Sequence, residues 1–155
     1  MELVLNNYLK RLIFFTIIFE NAFGLLLPAQ GWPETVGKGA VTTVTEANFN
    51  TEVLQSKLPV LVDFYATWCG PCRLYREVVD QIAQDYAGRL KVVRVDVDKN
   101  PQLASTYGVD ELPTTLLIKN GKKFKKRIGA LEKAEVKTEI NQMIKPPEIT
   151  LNTFQ

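Results

Sequence analysis

The chain has 155 residues, 46% of them hydrophobic and 23% charged, with a formal net charge of +2, no histidine and two cysteines. That length allows one domain with a core of its own, and the composition is not that of a disordered chain. The charge is too small for a nucleic-acid binder, and two cysteines cannot build the disulfide framework of a small secreted scaffold.

Residues 1–39 read differently from the rest. Lys10-Arg11 precede the apolar run Leu12–Phe19, and Glu20-Asn21 interrupt before a second run that ends at Pro28. A basic start, an apolar stretch and Pro28-Ala29-Gln30-Gly31 are features of a signal peptide or anchor. Yet neither apolar half approaches the ~20 residues that span a bilayer, and no clean small-x-small cleavage site follows. Two readings stand: targeting or membrane contact through residues 1–28, or an extension the domain does not need. The expected location is cytoplasmic, with membrane anchoring or export as the alternative. Gly31 to Gly39, with Trp32-Pro33, reads as a linker.

A domain is expected over residues 40–145. Val41 to Val44 is a short strand candidate, and Thr45 can cap a helix running to Gln55. Val60 to Ala66 is a nearly continuous apolar run, the pattern of a strand buried on both faces. Asp63 is its one charged residue.

Both cysteines follow at once, in Trp68-Cys69-Gly70-Pro71-Cys72. Behind them Leu74, Val78, Ile82 and Tyr86, with Tyr75, Val79, Ala83 and Ala87 beside them, make one broad apolar helix face. A buried strand, a tight turn and a long amphipathic helix therefore present two thiols at a strand's C-terminal end, where open α/β sheets place their chemistry. Near the first helical turn, unpaired N–H groups and the macrodipole favour the Cys69 thiolate. Cys72, one turn deeper on the same face, is placed to resolve a mixed disulfide. Pro71 suits a first-turn position, where its missing N–H costs nothing. The competing readings are two buried small hydrophobes or half of a zinc site. With no His and no third Cys, a metal would have to be shared between two chains, so redox chemistry is preferred and no metal or organic cofactor is expected.

Gly88 stops the long helix, and Leu90 to Val97 is a strand with β-branched alternation. Two strands joined by a helix should pair in parallel through a right-handed crossover. Asn100-Pro101 opens a short helix that Gly108 ends. Thr114 to Lys119 is a strand, and Asn120-Gly121 is a hairpin turn that returns Lys122 to Ile128 antiparallel. That last strand is strongly basic, which reads as a solvated edge blunting aggregation, or alternatively as a docking patch for an acidic partner or lipid. Leu131, Val136, Ile140, Met143 and Ile144 form the stripe of a final helix. Pro146-Pro147 end it, and residues 146–155 read as a loose tail.

This order of elements, taken with Val62-Asp63-Phe64-Tyr65-Ala66-Thr67-Trp68-Cys69-Gly70-Pro71-Cys72, resembles the thioredoxin family. Asp96-Val97-Asp98-Lys99-Asn100-Pro101, Leu112-Pro113-Thr114, Asn120-Gly121 and Gly129 match further separated motifs. The resemblance spans roughly residues 40–145. It implies an α/β thioredoxin fold, with a central mixed sheet built from a βαβ unit and an antiparallel hairpin and flanked by helices. It also implies a protein-disulfide reductase in which Cys69 attacks a client disulfide and Cys72 attacks the resulting mixed disulfide.

On the same resemblance, Asp63 moves the proton of Cys72 with a raised pKa. Arg94, where the family commonly has Lys, restrains that rise because it cannot lose its charge. Trp68, Gly70, Pro71, Leu112 and a cis Pro113 support the site and contact substrate. The implied partners are client proteins with disulfides and an electron donor of the thioredoxin-reductase type, with no nucleic acid. Glu77 replaces a proline usual in the family's active-site helix, which should leave that helix straighter. The alternatives are an exported or membrane-tethered oxidase or isomerase, or a non-catalytic binding subunit that keeps the fold.

Overall fold

The strand β2 (Val60–Tyr65) lies at the centre of a five-stranded sheet. It pairs in parallel with β3 (Lys91–Asp96) and antiparallel with β4 (Thr114–Lys119). A two-residue β1 (Thr42–Thr43) adds in parallel outside β3, and β5 (Lys122–Ile128) adds antiparallel outside β4. The order is β1-β3-β2-β4-β5. This computed structural model describes residues 39–145; the readings of the leader before Gly39 and of the tail after Lys145 fall outside the described residues.

Because side chains alternate along a strand, β2 serves two cores. Val60, Val62 and Phe64 pack with Phe49 and Val53 of α1 (Glu46–Phe49, continued by a π-helical turn, Asn50–Leu54). Leu103 of α3 (Pro101–Thr106) and the following Tyr107 close that side. Leu61 faces the opposite core, which Tyr75, Val79, Ile82 and Ala83 of α2 (Gly70–Asp85) build with Val136, Ile140 and Met143 of α4 (Lys133–Ile144). The mixed sheet flanked by helices is the expected architecture, and β2–α2–β3 is the expected βαβ unit.

Three local features differ from expectation. Leu74 is 79% exposed rather than on the packed face of α2. The stripe is centred on Tyr75, Val79, Ile82 and Tyr86, and one residue turns a helix by about 100°, which carries Leu74 past its rim. The first strand is shorter than Val41–Val44, although Val44 N–H still donates to Arg94 O at 2.8 Å. The basic strand β5 is an edge, but several of its charges are held by partners. Lys125 and Arg127 both pair with the buried Glu139, and Lys126 Nζ donates to Gly108 O at 2.8 Å. A buried carboxylate needs such countercharges, so the basic run neutralises α4 as well as protecting the edge.

The hairpin forms as its turn residues require. Asn120 and Gly121 have φ of 53° and 71°, the left-handed pair of a two-residue turn. A Cβ on Gly121 would lie 2.7 Å from Leu54 O, so the turn also needs glycine for close approach. A register shift at Leu117/Ile118 leaves Phe124 outside the pairing and 46% exposed, a bulge on an edge strand. Among the described residues no helix is long and apolar enough to cross a membrane, and no cluster of His, Cys, Asp or Glu could hold a metal ion.

Candidate active site

Cys69 is the N-cap of α2, with extended backbone angles, and Pro71 falls in the first turn. Cys69 and Cys72 are joined in a disulfide with their Cα atoms 5.3 Å apart. Cys72 N–H points at Cys69 Sγ, 3.2 Å away. On reduction that donor faces a sulfur at the positive end of a helix, a setting that favours a thiolate.

Residue exposure does not separate the two cysteines, at 4% for Cys69 and 6% for Cys72. Access does. A cleft of about 410 Å³ is lined by Trp68, Cys69, Gly70, Pro71, Val97, Val109, Asp110 and Leu112. Cys69 is on that wall and Cys72 is not. Access to Cys69 is through this opening, because Ala66 and Leu112 pack against the pair from the sides.

The rest of the wall is held from behind. Trp68 is 70% exposed, and its Nε1–H donates to Asp98 Oδ2 at 2.9 Å, so the indole stands as a fixed apolar side of the cleft. Gly70 has open space where a Cβ would sit, which keeps the floor beside Cys69 free. The Leu112–Pro113 peptide bond is cis, as the resemblance implied, and Pro113 is buried. Thr114 Oγ1 donates to Glu111 O at 2.7 Å and Gly129 N–H to Pro113 O at 2.8 Å, fixing the loop from both ends. Asp110 and Glu111 are exposed, with Asp110 on the cleft wall.

Asp63 lies on the α2 side of β2 and is 2% exposed. Arg94, its parallel partner on β3, donates from Nε to Asp63 Oδ2 at 3.0 Å. Burial pushes the Asp63 carboxyl up to about 6 from 3.8, with the Arg94 hydrogen bond and charge pulling the other way. A carboxyl titrating near 6 can accept a proton at neutral pH and hold it briefly. Arg94 is shared: its NH2 group also reaches Asp80 Oδ1 at 3.2 Å and Arg76 O at 3.1 Å.

The structure therefore brings Trp68, Cys69, Gly70, Pro71 and Leu112 onto one cleft, with Pro113 beneath the loop and Asp63 with Arg94 beneath α2. Sequence reasoning missed Asp80, which lies eight residues after Cys72, just over two helical turns on. A polar residue flanking the apolar stripe of α2 was the available signal. Sequence reasoning also assigned no role to Asp98, two residues past the end of β3, although Asp98 lies in the Asp96–Pro101 motif that carries the resemblance.

The sequence model of the family described as Thioredoxin matches residues 40–142. The chain is similar to thioredoxin 1 of Nostoc sp. (strain PCC 7120), 52% identical over 94 residues that cover 61% of this chain and 88% of the relative. It is similar to the thioredoxin of Porphyra purpurea, 44% identical over 105 residues, or 68% of this chain and 98% of the relative. Thioredoxin 1 of Synechococcus elongatus is 51% identical over 90 residues, 58% of this chain and 84% of that protein.

Proposed function

The chain belongs to the thioredoxin family and is a thiol–disulfide oxidoreductase that reduces protein disulfides; we propose the residue roles and partners through which it does so. The Cys69 thiolate enters from the cleft and attacks one sulfur of a client disulfide, joining Cys69 to the client and expelling the client's other sulfur as a thiolate. Cys72 then attacks Cys69 Sγ, closing the Cys69–Cys72 disulfide and releasing the second client thiolate. Two electrons pass to the client, and the proton of Cys72 goes to Asp63. Trp68 and Leu112 flank the client segment, and Pro113 holds the loop that carries Leu112. A reductase of the thioredoxin-reductase type returns the two electrons.

The observation that carries the assignment of the two cysteines is the cleft, which opens on Cys69 and leaves Cys72 behind it. The test is the pair of single variants on a disulfide-bonded protein substrate. Cys72→Ser should accumulate mixed disulfides joined through Cys69, and Cys69→Ser should abolish reduction. Mixed disulfides accumulating through Cys72 in the Cys69→Ser variant would reverse the roles.

Residues 1–39 are read as dispensable to this chemistry, with the domain in the cytoplasm. Sequencing the mature N-terminus of fractionated protein tests that reading. A chain kept intact in a membrane fraction would replace it with the anchored alternative.

A further inference from the structure

Among the described residues, one buried side-chain nitrogen or oxygen has no hydrogen-bond partner: Asp63 Oδ1. Its sister Oδ2 takes Arg94 Nε. A buried carboxylate oxygen without a donor is costly, and native structures rarely leave one. An unspent hydroxyl hydrogen lies on the neighbouring strand pair.

Thr115 on β4 is the direct antiparallel partner of Asp63, so the two side chains stand opposite each other on one face, with Cβ atoms about 4.5–5.5 Å apart. Thr115 Oγ1 lies 2.9 Å from Tyr75 Oη, which descends from α2. Thr115 is 2% exposed and Tyr75 1%. The two hydroxyls carry two hydrogens, and the bond between them uses one. No acceptor among the described residues takes the other. A spare donor and a spare acceptor thus sit across one strand pair, in a site closed to bulk water.

We infer that the Tyr75–Thr115 hydroxyl pair is the second hydrogen-bonding partner of Asp63 and positions its carboxylate for proton exchange with Cys72. A change of the Thr115 side-chain rotamer, which moves Oγ1 itself, or one bridging water of the kind that satisfies buried polar groups, brings the spare hydrogen to Oδ1. When Asp63 is protonated the direction reverses, and the hydroxyl oxygen accepts from the carboxyl O–H. The pair stays a donor across the working range, because burial first, and the Asp63 charge among smaller effects, pushes the Tyr75 phenol up to about 12. This inference rests on the reading of Asp63 as the proton acceptor, and it adds two positioning residues to it.

The other charges facing the carboxyl leave Oδ1 unserved. Arg94 of β3 occupies Oδ2, while Arg76 and Asp80 of α2 act on Asp63 through their charge alone. Glu139 of α4 and Arg127 of β5 act on Tyr75 and bind each other.

The experiment follows the Asp63 carboxyl carbon by NMR through a pH titration of the oxidised full chain. A hydrogen bond to a charged acceptor is worth about one pH unit or more, so Thr115→Val should raise the Asp63 pKa by about one unit, and Thr115→Ser should restore it. Tyr75→Phe/Thr115→Val, which strands no hydroxyl, should raise it equally and guards against a single variant that fails to fold. The acid limb of the reduction rate should move up with it. An Asp63 titration unchanged in both Thr115→Val and the double variant would overturn the inference. Asp63→Asn separates the two layers. If the acid limb survives that change while Thr115→Val still shifts the Asp63 signal, the proton-acceptor reading falls and the hydrogen bond stands.

Discussion

Replacing Asp63 by Asn should make the oxidised protein more stable at neutral pH and leave it nearly unchanged in acid. The carboxyl is 2% exposed, and burial, partly offset by Arg94, raises it from 3.8 to about 6. The folded state therefore binds the proton more tightly than the unfolded chain between those two values. Where the folded state holds more protons, stability falls as pH rises. The fall begins near pH 4 and is complete somewhat above pH 6. A difference of about two pH units corresponds to about 3 kcal/mol, a large share of the ~5–15 kcal/mol that holds a domain folded.

Asn is close to isosteric and does not titrate. It keeps an oxygen for Arg94 Nε, and Arg94 retains Asp80. Other carboxylates, such as Asp85 held low by Lys133 and Lys137, titrate alike in both proteins and cancel in the comparison. Urea unfolding of oxidised wild type and Asp63→Asn from pH 4 to 8 measures the difference. It should grow from near zero to about 3 kcal/mol in favour of the variant. On the proposed role of Asp63 as proton acceptor for Cys72, the same variant should reduce disulfides more slowly above neutrality, so that stability rises where activity falls. A stability difference that stays flat with pH, or shrinks as pH rises, would refute the reasoning.

Asp110→Asn/Glu111→Gln should speed reduction of acidic peptide disulfides relative to basic ones by several-fold at low salt, mainly through the association rate. Stopped-flow rates on matched peptides at two ionic strengths check this. The difference should shrink above 0.1 M, where exposed charges are screened within ~10 Å. A chain shortened to begin at Val36 keeps Gly39, whose φ of 82° and close approach to Gln84 Cα place it against the end of α2. It should fold cooperatively and reduce disulfides at close to the full-length rate, as circular dichroism melts and turnover of the two chains side by side will show. Loss of most activity would tie the leader to the domain.

The elements of this domain were legible because each has a local cause. The apolar run around Asp63 reads as a strand buried on both faces because it is short and rich in β-branched and aromatic residues, and Asn120-Gly121 suits a tight hairpin turn. The cysteine pair needed just a strand before it and a helix after it to acquire a chemistry. Leu74 was misplaced because helical periodicity locates an apolar stripe only to within about one residue's turn, and which residue marks its rim depends on the sheet beneath. The basic run of β5 looked like a solvated edge because its countercharge, Glu139, comes from a helix that follows it in sequence and packs back against it.

What only tertiary structure decided is how the buried charge is held. Asp63 acquires Arg94 across a parallel pair, Thr115 across an antiparallel pair, and Tyr75 from the helix packed above. These residues come from four separate elements, and no spacing along the chain relates them. Strand alternation determines that Asp63 points to one face of β2, but strand order determines what it meets there. The cleft is set in the same way, since Trp68 and Leu112 stand about forty residues apart in sequence and meet only when β2 and β4 pair. Sequence determined which groups can do the chemistry; sheet register determined the environment in which the buried carboxyl titrates.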